Sequence, residues 1–397
     1  MKLLVISERF FPEDFIINQL AGRWTRAGME VTVLTQVPSY PQGRICEGYK
    51  NRVFQTEMHN GIKIHRFFTV TGYRESLFKK LLNYFSFALT GTIAGLFLIP
   101  KTDRIFIYQT GPLTQALPAA VWSGLFGKPV YIWTQDVWPD SVYAYGFKRT
   151  KTLQLFLSAL VRFIYKPCRH IFISCKGFES RIRPYCGNTP IEYAPNWSLA
   201  DFSRGRNTCK MPKGFNFLFA GNIGKVQNLD SIVKAFGKAV FKKPDIFLNI
   251  AGDGSYLPEL KELVAKENIK NVVFLGRRPV SQMADLFAES GSLVISLKDS
   301  PLFELTVPSK FQAYLTAEKP ILCAMKGEVE TMVSESGTGF CAKPGDLNAI
   351  ADLFIRISSL TEYETTVIAE NARNYYNANF REESIAARLT ARITEGI

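Results

Sequence analysis

Short apolar runs alternate with longer amphipathic stretches from the start of the chain. The runs are rich in β-branched residues and almost continuously apolar, which is typical of strands buried on both faces of a parallel sheet. Stretches of helical character, such as 14–28 and 110–126, separate them. This alternation predicts a doubly wound α/β sheet. The predicted strands of this first set are 2–7, 30–35, 62–67, 103–109, 129–136, 170–174 and 191–195.

The pattern restarts after a polar, basic, glycine-containing segment at 203–214, which we interpret as a linker. Two sheets of the same type imply two domains facing a central cleft, with ligands bound at the carboxyl ends of the strands. We place the first domain at 1–202 and the second at 203–374. The long helical stretch at 368–393 predicts that a C-terminal helix of about 375–397 packs back on the first domain. The second set of strands is predicted at 215–221, 245–252, 271–276, 292–297, 319–324 and 337–343.

Charge is unevenly distributed between the two halves of the 397-residue chain, whose formal net charge is +13. Residues 1–200 hold 24 Lys and Arg against 12 Asp and Glu, while residues 201–397 hold 24 against 23. The first half is therefore the one expected to meet nucleic acid, anionic lipid or a phosphate-bearing substrate, unless its excess only keeps the surface soluble. Seven scattered cysteines with no CxxC pair argue against a zinc site or a disulfide framework.

The segment 81–100 carries no charged residue and follows the basic residues Arg74, Lys79 and Lys80. It is just long enough to span a bilayer, although its asparagine, serine and threonines make it polar for a span. Three interpretations stay open: a helix docked on the sheet, a helix dipping into one leaflet, or a true span. The preceding cations favour contact with an anionic membrane surface.

Four loops that follow strands of the second set have the character of an anion site. Gly221 precedes Lys225, and Gly252 and Asp253 lie in a second strand-to-helix turn. Glycine allows close backbone approach to a ligand, and helix starts favour anions. Arg277, in the third loop, is a further cation.

The fourth loop, "SPLFELTVPSKFQAYLTAEKP" at 300–320, places Lys310 at a predicted helix start after Pro308 and Ser309. A lysine there opposes the helix dipole unless an anion sits in front of it. Together the four loops suit a nucleotide diphosphate. The sequence contains no Walker-type loop and no acidic metal cluster.

The order "AGN", "AGDG", "FLGR", "VPSKFQAYLTAEKP" and "GTGF" resembles the donor domain of retaining family-4 glycosyltransferases of the GT-B fold. Within them it is similar to bacterial O-antigen N-acetyl-L-fucosamine transferases and colanic-acid glycosyltransferases. The first half resembles the same enzymes at "RFFPED" (9–14), "TQDVWPDS" (134–141) and "APNW" (194–197). The resemblance covers nearly the whole chain.

The resemblance implies transfer of a sugar, best guessed as N-acetyl-L-fucosamine or a similar N-acetylated deoxy-amino sugar, from a UDP-sugar to a polyprenyl-diphosphate-linked acceptor. It implies no metal, no cofactor beyond the UDP-sugar co-substrate, no nucleic acid, and a cytoplasmic enzyme on the inner face of the cell membrane. We assign catalysis to Asp136, which ends a strand, and to Glu304, which would hold the donor sugar. Predicted donor-binding residues are Gly221, Asn222, Lys225, Gly252, Asp253, Arg277, Leu305, Ser309 and Lys310, and predicted acceptor-side residues are Arg9, Asp14, Asn18 and Asp140.

The chain also departs from the family pattern. Relatives carry an arginine and a lysine where Asn222 and Gln227 stand, and the second glutamate of their Glu-x7-Glu element falls on Ala313. Two glycines of the first loop are also missing. Asp136 and Asp140 are alternatively caps of the following helix. A UDP-sugar epimerase of the same fold, or a non-catalytic binding protein for sugar or nucleic acid, are the alternative functions.

Overall fold

The computed structural model describes residues 1–144, 146–202 and 211–395, which form two compact units. One unit comprises Met1–Pro195 and Glu383–Ile397, and the other comprises Asn196–Glu382. Residues 203–210 of the predicted linker lie outside the described residues. The boundaries placed at 202 and about 375 stay predictions.

The first unit contains an eight-stranded sheet in the order β3-β4-β2-β1-β5-β6-β7-β8. All neighbouring strands are parallel except β3 and β4. In the centre of the sheet, Leu3 pairs with Val31 on one side and with Arg104 on the other. The strands are β1 Lys2–Ser7, β2 Glu30–Gln36, β3 Phe54–His59, β4 Ile62–Phe67, β5 Arg104–Gln109, β6 Val130–Thr134, β7 Cys168–Ile173 and β8 Ile191–Tyr193.

Local signals explain where three helices of the first unit begin or end. Ser76 caps the second helix by accepting the Lys79 N–H at 3.1 Å, and Thr150 caps the fifth through the Leu153 N–H at 3.3 Å. Gly127, with a φ of 65°, ends the third helix in the left-handed conformation. The helices are α1 Ile16–Arg26, α2 Leu77–Gly95, α3 Leu117–Phe126, α4 Asp140–Ala144, α5 Lys151–Tyr165 and α6 Phe178–Cys186.

The strand β3 was missed at the sequence level. Its side chains alternate between exposed and half-buried positions, so it lacks the continuous apolar run of the other strands. It forms an antiparallel hairpin with β4 through Asn60 and Gly61, which both have positive φ. Two such residues match the twist of a tight hairpin. An edge strand therefore extends a sheet that is otherwise parallel.

The second unit contains a six-stranded, wholly parallel sheet in the order β11-β10-β9-β12-β13-β14. One face of this sheet packs on α7 and α12 through a buried cluster that includes Phe217, Phe236, Leu248 and Phe354. The strands are β9 Phe215–Ala220, β10 Ile246–Ala251, β11 Val272–Gly276, β12 Ser292–Ser296, β13 Ile321–Ala324 and β14 Gly339–Cys341. The helices are α7 Leu229–Lys242, α8 Leu257–Lys266, α9 Met283–Glu289, α10 Ser309–Thr316, α11 Glu328–Ser336, α12 Leu347–Ile357 and α13 Glu362–Asn379.

The C-terminal helix α14, Glu382–Thr394, belongs to the first unit. The Trp24 indole N–H donates to the Thr390 hydroxyl at 2.9 Å, which joins α14 to α1. The prediction of one uninterrupted helical stretch over 368–393 is wrong, since α13 ends at Asn379. Phe380, fully buried against Phe311, occupies the break between α13 and α14.

Candidate active site

The carboxyl edge of the second sheet is built by loops whose backbones interlock. The Gly221 N–H donates to the Ala251 carbonyl at 2.8 Å, and the Gly252 N–H donates to the Gly276 carbonyl at 2.9 Å. A Cβ on Gly252 would lie 1.8 Å from the Gly221 carbonyl oxygen, and the φ of Gly252 is 152°. Only glycine fits this approach. The structure therefore brings the first three predicted donor loops to one edge.

Lys310 lies beside the first of these loops. The helix α10 begins at Ser309, after Pro308, where the sequence placed a helix start. The Lys310 ammonium lies 3.5 Å from the centroid of the Phe219 ring, and its Cε lies 2.5 Å from where a Cβ on Gly221 would be. Any side chain at position 221 would displace the lysine.

Burial lowers the pKa of Lys310 to about 7, so the side chain is only partly charged at neutral pH. Within the part of the chain that the structure describes, the ammonium makes no hydrogen bond or ion pair; its contact is the Phe219 ring. A phosphate brought to the end of β9 would supply the missing anion and restore the charge.

Tyr314, which the sequence did not single out, fixes α10 to the sheet. Its hydroxyl accepts the Ala220 N–H at 3.2 Å and donates to the Val294 carbonyl at 3.3 Å. The side chain is fully buried. Tyr314 therefore holds the helix that carries Lys310 against the end of β9 and the middle of β12. Its position one helical turn after Lys310 was the signal available in the sequence.

The first donor loop is held by side-chain amides, at the positions where the family resemblance led us to expect cations. The Asn222 amide donates to the Gln227 side-chain oxygen at 3.4 Å, and the same oxygen accepts the Gly224 N–H at 2.9 Å. Lys225 is exposed at the start of a short 3-10 helix that ends at Gln227. Lys225 is thus the free cation of this loop, while the amide pair stabilises the turn.

The remaining predicted donor-binding residues are exposed or half-buried and make fewer contacts that fix their side chains. Asp253 is exposed and caps its own turn by accepting the Gly254 N–H at 2.8 Å. Arg277 is exposed after β11, and Ser309 is exposed without capping α10. Glu304 and Leu305 lie half-buried in a short 3-10 helix, Phe303–Leu305. The structure places all of these residues after the carboxyl ends of strands.

Asp136 follows β6 at the carboxyl edge of the first sheet. Its Oδ1 accepts the Val137 N–H at 3.1 Å and the hydroxyl of Ser141 on α4. Burial raises the pKa of Asp136 to about 6, against the opposing effect of these hydrogen bonds and of Lys80. Asp136 therefore steadies the start of α4 and also has a pKa suited to a general base. The two interpretations left open by the sequence are compatible.

Asp140, and Asp14 and Asn18 of the loop after β1, were predicted to lie on the acceptor side. Asp140 begins α4 and pairs with Arg149 at 3.5 Å. Asn18 donates to the Glu13 carbonyl at 2.7 Å, and Asp14 is exposed. In the contacts that the structure describes, neither Asp140 nor Asn18 is joined to the proposed base, Asp136.

Arg9 lies in a cage of aromatic and acidic groups. Its guanidinium lies 4.2 Å from the centroid of the Tyr40 ring and 3.9 Å from a Glu8 carboxylate oxygen. Burial works to lower the pKa of Arg9, but Glu8, Tyr73 and Glu13 raise it, with a net upward shift. Arg9 is thus a permanent cation held at the end of β1.

Sequence reasoning missed Glu8, the residue directly after β1. One of its oxygens, Oε1, accepts a hydrogen bond from Gln36 at 3.4 Å, while the other, Oε2, is buried. Lys80, which is predicted to contact the membrane surface, is half-buried, and Glu8 and Asp136 partly offset the lowering of its pKa by burial. The signal for Glu8 was an acid at a strand end in "SERFFPED".

Several polar atoms near these strand ends are buried without a partner in the described part of the chain. They belong to side chains that follow β1, that end or follow β5, or that lie in the 3-10 turn before α3, namely Glu8 Oε2, Gln109 Oε1, Thr110 Oγ1, Thr114 Oγ1 and Gln115 Nε2. Unsatisfied buried donors and acceptors are costly unless a ligand or water completes them. A polyhydroxylated ligand offers the matching hydrogen bonds.

A bound metal ion requires several side chains that can coordinate it. Over residues 1–144, 146–202 and 211–395, no group of three or more His, Cys, Asp or Glu side chains could hold a metal ion. The independence from metals and cofactors stays a prediction.

Solved structures with the same arrangement establish the class of fold. Sucrose-phosphate synthase from Thermosynechococcus elongatus is 16% identical with a TM-score of 0.73, covering 98% of this chain and 98% of its own. Anabaena HepE, solved with UDP and glucose, is 14% identical with a TM-score of 0.72, covering 99% of both chains. The fold is GT-B, with two Rossmann-like units, as predicted.

Residues 208–375 match the family model described as glycosyl transferases group 1. The probable glycosyltransferase WbjE of Pseudomonas aeruginosa is 24% identical over 305 residues, which cover 71% of this chain and 75% of WbjE. The putative colanic acid biosynthesis glycosyl transferase WcaI of Escherichia coli K12 is 24% identical over 407 residues, covering 97% and 98%. The chain carries a group 1 glycosyltransferase domain and is a glycosyltransferase, which confirms the resemblance at this level.

Proposed function

We propose that this enzyme transfers a sugar from a UDP-sugar to a polyprenyl-diphosphate-linked sugar during synthesis of a bacterial polysaccharide such as an O-antigen. The observation that carries the proposal is Lys310, an ammonium held at the interlocked glycine loops with no anionic partner among the described residues. The UDP and glucose in the HepE structure, and the colanic acid assignment of WcaI, support the same chemistry.

The donor diphosphate lies at the carboxyl edge of the second sheet in this proposal. Breaking the bond between the anomeric carbon and the phosphate oxygen leaves additional negative charge on UDP. Lys310 and Lys225, with backbone N–H groups at the start of α10, stabilise that charge as it develops. Arg277 lies further out and contributes to binding the nucleotide. Glu304 accepts hydrogen bonds from hydroxyls of the donor sugar.

The acceptor hydroxyl is activated at the carboxyl edge of the first sheet. As its oxygen bonds to the anomeric carbon, its proton passes to Asp136, whose raised pKa suits it to that role. The buried polar atoms of Glu8 and Gln109 bind the acceptor sugar. The resemblance implies that the anomeric configuration is retained. N-acetyl-L-fucosamine, or a similar N-acetylated deoxy-amino sugar, is the proposed group transferred.

The test is mass spectrometry of reactions that contain membranes and a panel of UDP-sugars. The proposal expects one UDP-sugar to yield a lipid-linked product extended by that sugar, with UDP released only when the lipid acceptor is present. An epimerized UDP-sugar formed without acceptor would instead assign the enzyme to the epimerase alternative. Absence of UDP release under every acceptor condition would support a binding protein.

A further inference from the structure

Unlike a helix that faces water, α2 exposes a row of large apolar side chains and carries polar residues, beside Phe87, on its inward side. Its inward side carries Asn83, which donates to the Val70 carbonyl at 2.8 Å, and Ser86, which accepts the Val70 N–H at 2.9 Å. Gly95 lies so close to Trp122 that a Cβ would meet its ring at 2.0 Å. An ordinary surface helix buries its apolar stripe and exposes its polar residues.

The outward side of α2 and the turn after it is a row of large apolar side chains. Phe78 is 70% exposed and Phe97 is 81% exposed. The row repeats at intervals of three and four residues, which places it on one side of the helix. Its members are Leu77, Phe78, Leu81, Phe85, Leu89, Ile93, Leu96 and Phe97.

The two helices that follow in the same layer continue this surface. The chain crosses from β4 to β5, β6 and β7 in one direction across the sheet, and right-handed crossovers place α2, α3 and α5 on the same side. The helix α2 packs against α3, and α3 packs against α5. Leu125 and Phe126 end α3 exposed, and α5 exposes Leu155, Phe156 and Phe163. We call the row on α2 and these five residues the apolar face.

Charge decides what covers the apolar face. Residues 75–179 contain 12 Lys and Arg against five acidic residues, Glu75, Asp103, Asp136, Asp140 and Glu179. None of the five lies on α2, α3 or α5, although Glu75 pairs with Lys79 of α2. A second copy of this chain would bring like charges together, whereas anionic lipid headgroups attract them. Lys151, Arg162 and Lys166 are exposed on and beside α5.

The exposed apolar side chains of α2, α3 and α5 suit helices that lie along a membrane surface. Within the described ranges, no helix combines the length and the apolarity that crossing a bilayer requires. Apolar side chains flanked by cations are typical of helices buried to a shallow depth at the headgroup boundary. We propose that α2, the end of α3, and α5 form one docking face that inserts into a single leaflet of an anionic bilayer.

The same helix α2 carries Lys80 on its inward side, near Glu8 and Asp136. Docking through α2 would therefore place the polar strand ends of the first sheet close to the headgroup layer. The benefit of bringing these strand ends close to the membrane rests on the proposed function, because it matters only when the acceptor is lipid-linked. The docking itself is independent of sugar transfer and is tested without any sugar substrate.

The experiment measures binding of the full chain to vesicles of phosphatidylcholine with or without phosphatidylglycerol. The variant Leu155→Ser/Phe156→Ser tests α5, and Phe78→Ser/Phe85→Ser tests α2. The matched control is Phe241→Ser, because Phe241 is 90% exposed on α7 of the other unit. Both double variants are expected to weaken binding to anionic vesicles by at least about tenfold, since each removes two apolar side chains from the leaflet. The control is expected to bind like the wild type.

Unchanged thermal unfolding shows that the exposed substitutions leave the fold intact. Binding of the α5 variant equal to that of the wild type would overturn the assignment of α5. Failure of the wild type to bind anionic vesicles, or a dimer in sedimentation that both double variants abolish, would overturn the whole proposal. Brominated lipid is expected to quench the fluorescence of the tryptophan introduced by Phe156→Trp, but not that introduced by Phe241→Trp. Equal quenching of the two introduced tryptophans would also contradict insertion.

Discussion

The carboxyl edges of the two sheets share one architecture but differ in the chemical groups that they present. The second sheet's edge is made of glycine backbone and cations, with Lys310 lying against the Gly221 loop. The first sheet's edge carries buried polar side chains, including the carboxyls of Glu8 and Asp136, and its cation Arg9 is already paired with Glu8. An ammonium and the backbone N–H groups at a helix start suit a diphosphate, while carboxylates suit hydroxyls and protons. In the proposed function, one edge therefore holds the charge of the diphosphate and the other accepts a proton.

The largest expected effect comes from removing the proposed base. Asp136→Asn should lower acceptor-dependent turnover by about 10³-fold, because a neutral amide cannot take the hydroxyl's proton. Initial rates of UDP release with acceptor present measure this. Asp103→Asn is the matched control, since Asp103 precedes β5 at the opposite edge of the same sheet. Similar losses in both variants would remove Asp136 from the chemistry.

Removing Lys310, the cation proposed to bind the diphosphate, should lower activity less than removing Asp136. Lys310→Ala is expected to lower kcat/KM for the UDP-sugar by about 10²-fold while the protein stays folded, since one charge-stabilising group is lost. The control is Lys319→Ala. Lys319 is also partly buried, with a pKa lowered by burial, but it precedes β13 at the other edge. Unchanged kinetics in Lys310→Ala would exclude Lys310 from the site.

The pH dependence of donor binding sharpens the same point. With a pKa of about 7, Lys310 is charged in the free protein below neutrality and loses its proton above it. A bound diphosphate raises that pKa again, so binding at higher pH requires proton uptake. UDP-sugar affinity should therefore fall by about tenfold between about pH 7 and about pH 8.5. Calorimetry measures both affinity and proton uptake. A flat profile in the wild type, or an unaltered slope in Lys310→Ala, would contradict this.

The smallest effect is expected at Glu8. Glu8→Gln keeps the shape of the side chain but removes its charge, and should raise the KM for the acceptor about fivefold, the range of one hydrogen bond. The KM for the UDP-sugar should not change. Glu30→Gln, at the amino end of β2, serves as the control. A larger effect on the donor than on the acceptor would place Glu8 in a different role.

Sequence patterns predicted the strands well because buried parallel strands are apolar throughout, as in β1 and β9. The start of α10 was also predictable, since Pro308 and Ser309 are local signals. The edge strand β3 was not predictable, because it lacks an apolar run and is set by its pairing with β4. The break between α13 and α14 was not predictable either, because it depends on the burial of Phe380 against Phe311. Glu8 and Tyr314 escaped for the same reason: a sequence cannot show which polar side chains tertiary packing leaves buried.

The most direct test of the division between the two edges is UDP binding measured by calorimetry without acceptor, at one pH, for three proteins. The account predicts that Asp136→Asn binds UDP like the wild type. Lys310→Ala should bind it at least about tenfold more weakly, the expected cost of losing a charge-assisted contact to phosphate. Wild-type affinity in Lys310→Ala, or equal weakening in both variants, would contradict the account.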